Sequence, residues 1–200
     1  MPVGRGSAGG KPEQHSPRKQ LGPLERSLRT FSFGIPIREL DLSFSPGVED
    51  LRPLSALSDI RQLDLSGCAQ IRDIGPLADL SKLETLDLSS CPQVEDITPL
   101  SGLVQLRELN LRESAGVSDL GPLSEMHQLR KLFLSECPRV SDLRPLAGLR
   151  SLERLYLSGC PQVTPAILEP LAALPALRSV GVDRFLTLSH PLLRKGVRIH

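Results

Sequence analysis

Residues 83–103 read LETLDLSSCPQVEDITPLSGL, and this stretch decides the fold. Leu86 and Leu88 alternate with polar residues, which predicts a short strand with one buried face. Beyond Cys91 the chain turns, and Asp96 stands three residues before Pro99. Aspartate favours the N-cap of a helical turn, and proline is tolerated within its first turn. The stretch therefore predicts one strand followed by one short helical turn.

The same pattern recurs at a constant interval of 23 residues. Each unit is spelled L-x-x-L-x-L-x-x-C/S and then V/I-x-D-L/I-x-P-L-x-x-L. A sixth unit is two residues longer, and its Thr164-Pro165 predicts the start of a longer helix through residues 166–174. A seventh unit begins at Leu177. The first positions of the six complete units are Ile37, Ile60, Leu83, Leu106, Leu129 and Leu152. Stacked units predict a parallel sheet of seven strands with the helical turns outside it.

This pattern resembles the leucine-rich repeat family over about 37–182. The D-x-x-P-L units are similar to the internalin-like class, and the longer sixth unit is similar to the cysteine-containing class. The resemblance implies an α/β solenoid with a parallel β-sheet on the concave face and short helical or irregular segments on the convex face. It also implies a non-catalytic protein-binding scaffold or adaptor, whose concave face takes a protein or peptide partner.

Charge and composition divide the chain into four predicted parts. Residues 1–20 are predicted to be a disordered basic tail, and 21–36 an N-terminal cap. The repeat array follows at 37–182, with a C-terminal cap and basic tail at 183–200. Lys and Arg outnumber Asp and Glu at both ends, whereas the array is acidic. Basic tails of this kind would allow weak contact with RNA or another acidic surface.

Two patterns that the sequence lacks bear on its expected location. No apolar stretch reaches the length of a membrane span, and no signal-peptide pattern opens the sequence. We therefore expect no membrane association and a cytoplasmic location, with the nucleus as the alternative. We also expect the chain alone to be a monomer.

Four cysteines share one position, eight residues after the start of their units, and Ser45 and Ser114 occupy it elsewhere. The resemblance implies an inward-facing ladder whose side chains meet backbone groups after the strand. Equivalent positions point the same way, which argues against disulfides between them. A zinc site would need C-x2-C pairs or nearby histidines. The cysteines are Cys68, Cys91, Cys137 and Cys160. We expect reduced structural thiols, which suits a reducing compartment, and no bound metal.

Catalytic motifs are missing from the sequence. It contains no G-x-S-x-G, no Walker loop and no H-E-x-x-H. The histidines, His15, His127, His190 and His200, do not share the register of the cysteines. The regularly spaced aspartates are explained as helix caps. We therefore predict that the protein is not an enzyme and binds no cofactor.

Function is expected where the repeat varies, at the exposed positions of the strands. The predicted partner-binding residues are Arg112, Lys131, Phe133, Arg154 and Tyr156, since exposed aromatics beside Arg are typical of binding hot spots. The alternative is that the two rings only pair across strands to stabilise the sheet. A secondary acidic strip is formed by Asp41, Asp64 and Asp87. The alternative is that these residues are simply common at this position in such repeats and have no role in binding.

Two other functions stay open from the sequence. The Cys-x-x-Val pattern resembles F-box leucine-rich proteins, which implies the substrate-recognition subunit of a ubiquitin ligase. Residues 1–36 are too short and polar for an F-box, so a partner would have to supply it. The third function is a structural subunit of a large assembly, contacted through the basic tails.

Overall fold

The computed structural model describes residues 36–183, Leu192 and 196–200 of the 200-residue chain. Its eight strands form one parallel sheet in which strand order follows chain order. The strands are β1 Glu39–Asp41, β2 Gln62–Asp64, β3 Thr85–Asp87, β4 Glu108–Asn110, β5 Lys131–Phe133, β6 Arg154–Tyr156, β7 Ser179–Gly181 and β8 Arg198–Ile199. This open sheet with short helical turns behind it confirms the predicted solenoid.

Strand register follows the repeat without a slip. Glu39 pairs with Gln62, Gln62 with Thr85, and Thr85 with Glu108, each exactly one 23-residue unit apart. The central residue of each inner strand is buried, a leucine such as Leu86 or Leu109 in β2–β6 and Val180 in β7. Because side chains alternate across a strand, its two neighbours face the other side of the sheet. The leucine period therefore sets both the pairing and the buried face.

The sheet has one strand more than the predicted seven. Arg198 of β8 pairs with Ser179, and Ile199 pairs with Val180. Leu192 and Val197 are buried in the same core as the repeats. The predicted tail (1–20), nearly all of the predicted N-terminal cap (21–36), and Phe185, Leu186, Leu188 and Leu193 of the C-terminal cap lie outside the described residues. These domain assignments stay predictions.

Short helices form the outer wall, one for each unit. The 3-10 helices are Arg52–Ala56, Gly75–Asp79, Thr98–Gly102, Gly121–Leu123, Arg144–Gly148 and Glu169–Ala173. The longer sixth unit adds helix α1, Pro165–Leu168, which begins after Thr164 as predicted. The predicted helix through residue 174 changes to 3-10 geometry at Glu169. Pro170 explains the change, since it has no N–H for the α-helical hydrogen bond.

The repeated aspartates were predicted to be the N-caps of these helices, but each lies one residue before the N-cap. In the third unit the N-cap is Ile97, and Asp96 stands before it. The Asp96 Oδ1 accepts the N–H of Thr98 at 2.8 Å, which is the hydrogen bond of an Asx turn. Asp50, Asp73, Asp119 and Asp142 make the same bond at 2.7–3.0 Å. The N-cap assignment was wrong, but the aspartates do satisfy the first helical N–H.

A column of residues in the left-handed conformation lies just beyond the C-terminal ends of the strands, one residue for each complete unit. They are Phe44, Gly67, Ser90, Glu113, Glu136 and Gly159, with φ between 51° and 76°. The N–H of each inner member donates to a carbonyl of the following unit, as from Ser90 to Arg112 at 2.8 Å. At Gly159 the acceptor is instead the carboxylate of Asp183, at 3.1 and 3.2 Å. Left-handed geometry thus aims a backbone donor at the next unit.

The predicted cysteine ladder is confirmed by its hydrogen bonds. Each thiol donates to a backbone carbonyl 26 residues earlier, in the preceding unit. The bonds run from Cys68 to Leu42 at 3.1 Å, Cys91 to Leu65 at 3.2 Å, Cys137 to Leu111 at 3.0 Å and Cys160 to Leu134 at 3.0 Å. Ser114 makes the equivalent bond to Leu88 at 3.1 Å. The ladder therefore connects successive units inside the core.

Burial of the ladder predicts a pH-dependent stability. It raises the pKa of Cys91 to about 11 and that of Cys137 to about 12. Above about pH 9 the unfolded chain loses these protons before the folded chain does. The free energy of unfolding should therefore fall by about 1.4 kcal/mol per pH unit for each thiol. Urea unfolding measured from pH 8 upward checks this slope.

Cys137→Ser provides the matched comparison, because serine already occupies the ladder at Ser114. The variant lacks one titrating thiol, so its slope above about pH 9 should be shallower by about 1.4 kcal/mol per pH unit. Parallel pH profiles for the two proteins would show that the buried thiol does not contribute to the alkaline loss.

Candidate functional site

Two columns of side chains cross the concave face. The pairing of the strands defines both columns. The first column contains the first residue of each strand, and the second contains the residue two positions later. The first column runs Glu39, Gln62, Thr85, Glu108, Lys131, Arg154, Ser179 and Arg198. The second runs Asp41, Asp64, Asp87, Asn110, Phe133, Tyr156 and Gly181. The face thus changes from acidic at β1–β3 to aromatic and basic at β5 and β6.

Phe133 and Tyr156 form a stacked pair on this face. Their ring centroids are 4.6 Å apart and their planes differ by 1°. They are direct neighbours across β5 and β6, and both side chains are half-buried. We call Lys131, Phe133, Arg154 and Tyr156 the aromatic surface. The strand register brings these four predicted residues together.

The cations around the rings differ in their pairing. Lys131 Nζ lies 2.7 Å from Glu108 Oε2 on the adjacent strand. Arg112 follows β4, and its Nε lies 3.1 Å from the neighbouring Glu113. Arg154 is exposed and makes no ion pair with any described residue. Of the three predicted basic residues, Arg154 therefore keeps its charge most available.

The acidic strip has a structural role in its strands. The Oδ1 atoms of Asp41, Asp64 and Asp87 each accept, at 2.8 Å, the N–H of the residue two positions later. The hydrogen bonds with Ser43 lower the pKa of the Asp41 carboxyl. Asn110 Oδ1 accepts the equivalent N–H, from Arg112, at 3.1 Å. These residues end each strand with an Asx turn.

Phe133 and Tyr156 occupy this same column but cannot accept such a bond. In the fifth and sixth units a repeated stabilising contact is therefore replaced by two aromatic rings. Their mutual stacking offsets part of that loss, since an aromatic pair contributes about 1 kcal/mol beyond its area. The departure from the repeat makes this part of the face the best candidate site.

Sequence reasoning missed two residues of this region, Arg198 and His200. His200 lies beside Gly181, since Ile199 pairs with Val180. Its ring meets Tyr156 edge-on, with centroids 6.2 Å apart. The signal available was the alternation Val197, Arg198, Ile199, His200 after Gly196, which is typical of a half-buried strand. The prediction of a cap and basic tail obscured it.

Three other features of the described chain bear on function. No group of three or more His, Cys, Asp or Glu side chains there could hold a metal ion. Likewise, none of the helices described is long and apolar enough to cross a membrane. An exposed aromatic ring also occurs at the opposite end of the array, where Phe44 is 78% exposed.

Comparison with known proteins identifies similar repeats. A sequence profile for leucine-rich repeats in two copies matches residues 58–102. An internalin (inlF) from Listeria monocytogenes is 32% identical with a TM-score of 0.64, and the match covers 72% of this chain and 41% of that one. Internalin C2 (inlC2) of the same species is 29% identical with a TM-score of 0.67, over 82% of this chain and 69% of that one.

More distant similarity concerns the fold alone. A leucine-rich repeat protein from Leptospira interrogans is 19% identical with a TM-score of 0.55, over 80% of this chain and 45% of that one. The chain matches no curated protein sequence. It spans less than half of the inlF internalin.

Proposed function

Since the chain is a leucine-rich repeat protein with internalin-like repeats, we propose that it is a non-catalytic scaffold or adaptor that binds a protein or peptide at the aromatic surface. Arg112, the fifth predicted partner-binding residue, follows β4, the strand that pairs with the strand of Phe133. The Phe133–Tyr156 stack on the concave face supports the proposal more than any other observation. A rigid aromatic pair offers a partner a large contact area at little cost in side-chain entropy.

Charge supports the same location. Arg154 stands beside the stack without an ion pair among the described residues, whereas Lys131 is held by Glu108. Interfaces are enriched in aromatic residues and Arg, which matches this combination. The acidic strip remains a weaker second candidate, since its carboxylates already hydrogen-bond to their own strands.

Removing both rings tests the proposal. Phe133→Ala combined with Tyr156→Ala should weaken partner capture at least about thirtyfold, because one hot-spot ring alone contributes about 2 kcal/mol or more. Thermal stability should change little by comparison. Affinity capture from cells, quantified against the unaltered chain, provides the measurement. A large loss of stability with capture intact would show that the rings serve only the sheet.

Phe44→Ala is the matched control, because it removes an exposed ring from the other end of the array. Its capture should equal that of the unaltered chain. Capture through the aromatic surface should also survive high salt, since apolar contact is not screened. Capture that is lost with salt and also on deletion of residues 1–20 would assign binding to the basic tails instead.

The recovered partners decide between the finer functions. A cullin-linked adaptor would support substrate recognition for a ubiquitin ligase, and a stable multi-subunit particle would support a structural subunit. RNA recovered only with the tails present would support contact through them. We propose a monomer in the cytoplasm or nucleus, and the four buried thiols are consistent with a reducing compartment. Fluorescence imaging of the tagged chain tests the location.

A further inference from the structure

On the concave face the small residues of β7 stand between larger residues of β6 and β8. In the first column Ser179 stands between Arg154 and Arg198. In the second column Gly181 follows Tyr156. Neighbouring strands lie about 4.8 Å apart, so β6 and β8 are about 10 Å apart on either side of β7. We call the place of Ser179 and Gly181 between these two strands the β7 notch.

Aromatic rings close one end of the notch. A Cβ on Gly181 would stand 3.2 Å from Cδ1 of Tyr156, so the glycine allows that ring to lie over β7. From the other wall His200 meets Tyr156 edge-on at 6.2 Å. The ring nitrogens of His200 also lie 3.4 and 3.5 Å from Ser179 Oγ. The two rings therefore form one end of the notch, and the Ser179 hydroxyl forms its floor.

Two guanidinium groups flank the other end. Arg154 and Arg198 are both exposed, and within the described part of the chain neither makes an ion pair. Two carboxylates at or beside the first column are already engaged. Glu108 pairs with Lys131, and Glu153 lies 4.0 Å from Arg178. The open end of the notch is thus positively charged, with a hydroxyl on its floor.

We propose that the β7 notch binds an oxyanion of the partner, a carboxylate or phosphate on a peptide segment whose apolar neighbour covers the Phe133–Tyr156 stack. That a partner binds here rests on the proposed function, whereas the chemistry of the bound group is argued from the notch alone. Arginine suits this ligand because its planar fork of N–H donors matches both oxyanions. Ser179 Oγ supplies a further donor, and the aromatic end excludes water from one side.

Binding of simple anions tests the notch directly. Inorganic phosphate and acetate are titrated at constant ionic strength into the full-length 15N-labelled chain. Arg Nε–Hε and backbone amide signals are followed by NMR. We expect saturable shifts at Arg154, Arg198 and Ser179. Arg154→Gln or Arg198→Gln should each weaken binding about fivefold, the effect of one exposed ion pair. Arg150→Gln, an exposed arginine outside the notch, should change nothing.

The outcomes separate the sources of the anion. Saturation by phosphate alone assigns the notch to a phosphorylated residue, and saturation by both anions assigns it to a carboxylate side chain or terminus. Either supports the inference. Shifts that do not saturate, or that persist in both glutamine variants, would overturn it.

The notch and the proposed function fail in different experiments. If Phe133→Ala with Tyr156→Ala abolishes partner capture while the arginine variants capture normally, the scaffold proposal stands and the notch is wrong. If phosphate or acetate binds but the double alanine variant retains capture, the notch stands and the aromatic surface is not the partner site.

Discussion

Replacing Leu109 by alanine is expected to lower the free energy of unfolding by about 3 kcal/mol. Leu109 is the central residue of β4, in the middle of the stack, and is fully buried. Its neighbours across the sheet are Leu86 and Leu132. Alanine would leave a cavity bounded by close-packed units on both sides, which cannot collapse without breaking their register. Urea unfolding followed by circular dichroism measures the change.

Leu40→Ala is the control, since Leu40 holds the same place in β1. There the side chain is only partly buried and packs against the core from the end of the stack. The expected loss is about 1 kcal/mol, because less apolar surface returns to water. Equal losses for the two variants would contradict the nearest-neighbour account, in which a central unit depends on interfaces at both sides.

The fold could be predicted because one pattern carries several kinds of information. The spacing of Leu83, Leu86 and Leu88 sets the strand and its buried face, and the 23-residue period sets the register. The cysteine and serine positions specify the ladder. Each unit repeats the same local preferences, so an error in one unit would be exposed by the others. Local and global preferences agree along the array.

The features that were missed have no such repetition. The left-handed column holds Phe44, two glycines, one serine and two glutamates, so no single residue type marks it. Its geometry follows from the turn that each strand must make. β8 escaped prediction because its two residues, Arg198 and Ile199, do not follow the 23-residue period and lack the leucine pattern.

The candidate site was predicted only in part for a related reason. Strand register gave the neighbours of Phe133 and Tyr156, and hence their stacking. Which charges stay available depends on side-chain pairing between units, such as Lys131 with Glu108. The contribution of His200 depends on Gly181, whose missing side chain allows contact across β7. Such contacts are set by the packing of individual side chains.

Ser114→Ala is expected to lower the free energy of unfolding by about 2 kcal/mol. Ser114 is a fully buried polar residue whose Oγ donates to the carbonyl oxygen of Leu88 at 3.1 Å. No other described group donates to that oxygen, so alanine would leave a buried carbonyl without a partner. Such an acceptor costs about 1–3 kcal/mol. The small volume lost with one oxygen adds little to this.

Ser114→Cys separates the hydrogen bond from the packing. Cysteine makes the equivalent bond in four other units, at 3.0 to 3.2 Å, so this variant should stay within about 0.5 kcal/mol of the unaltered chain. Urea unfolding of both variants at neutral pH gives the comparison. If alanine and cysteine proved equally stable, the ladder would stabilise the stack through its size and not through its donors. A cysteine variant that restores stability would instead show that hydrogen bonds between units, inside an otherwise apolar core, determine which residues the position accepts.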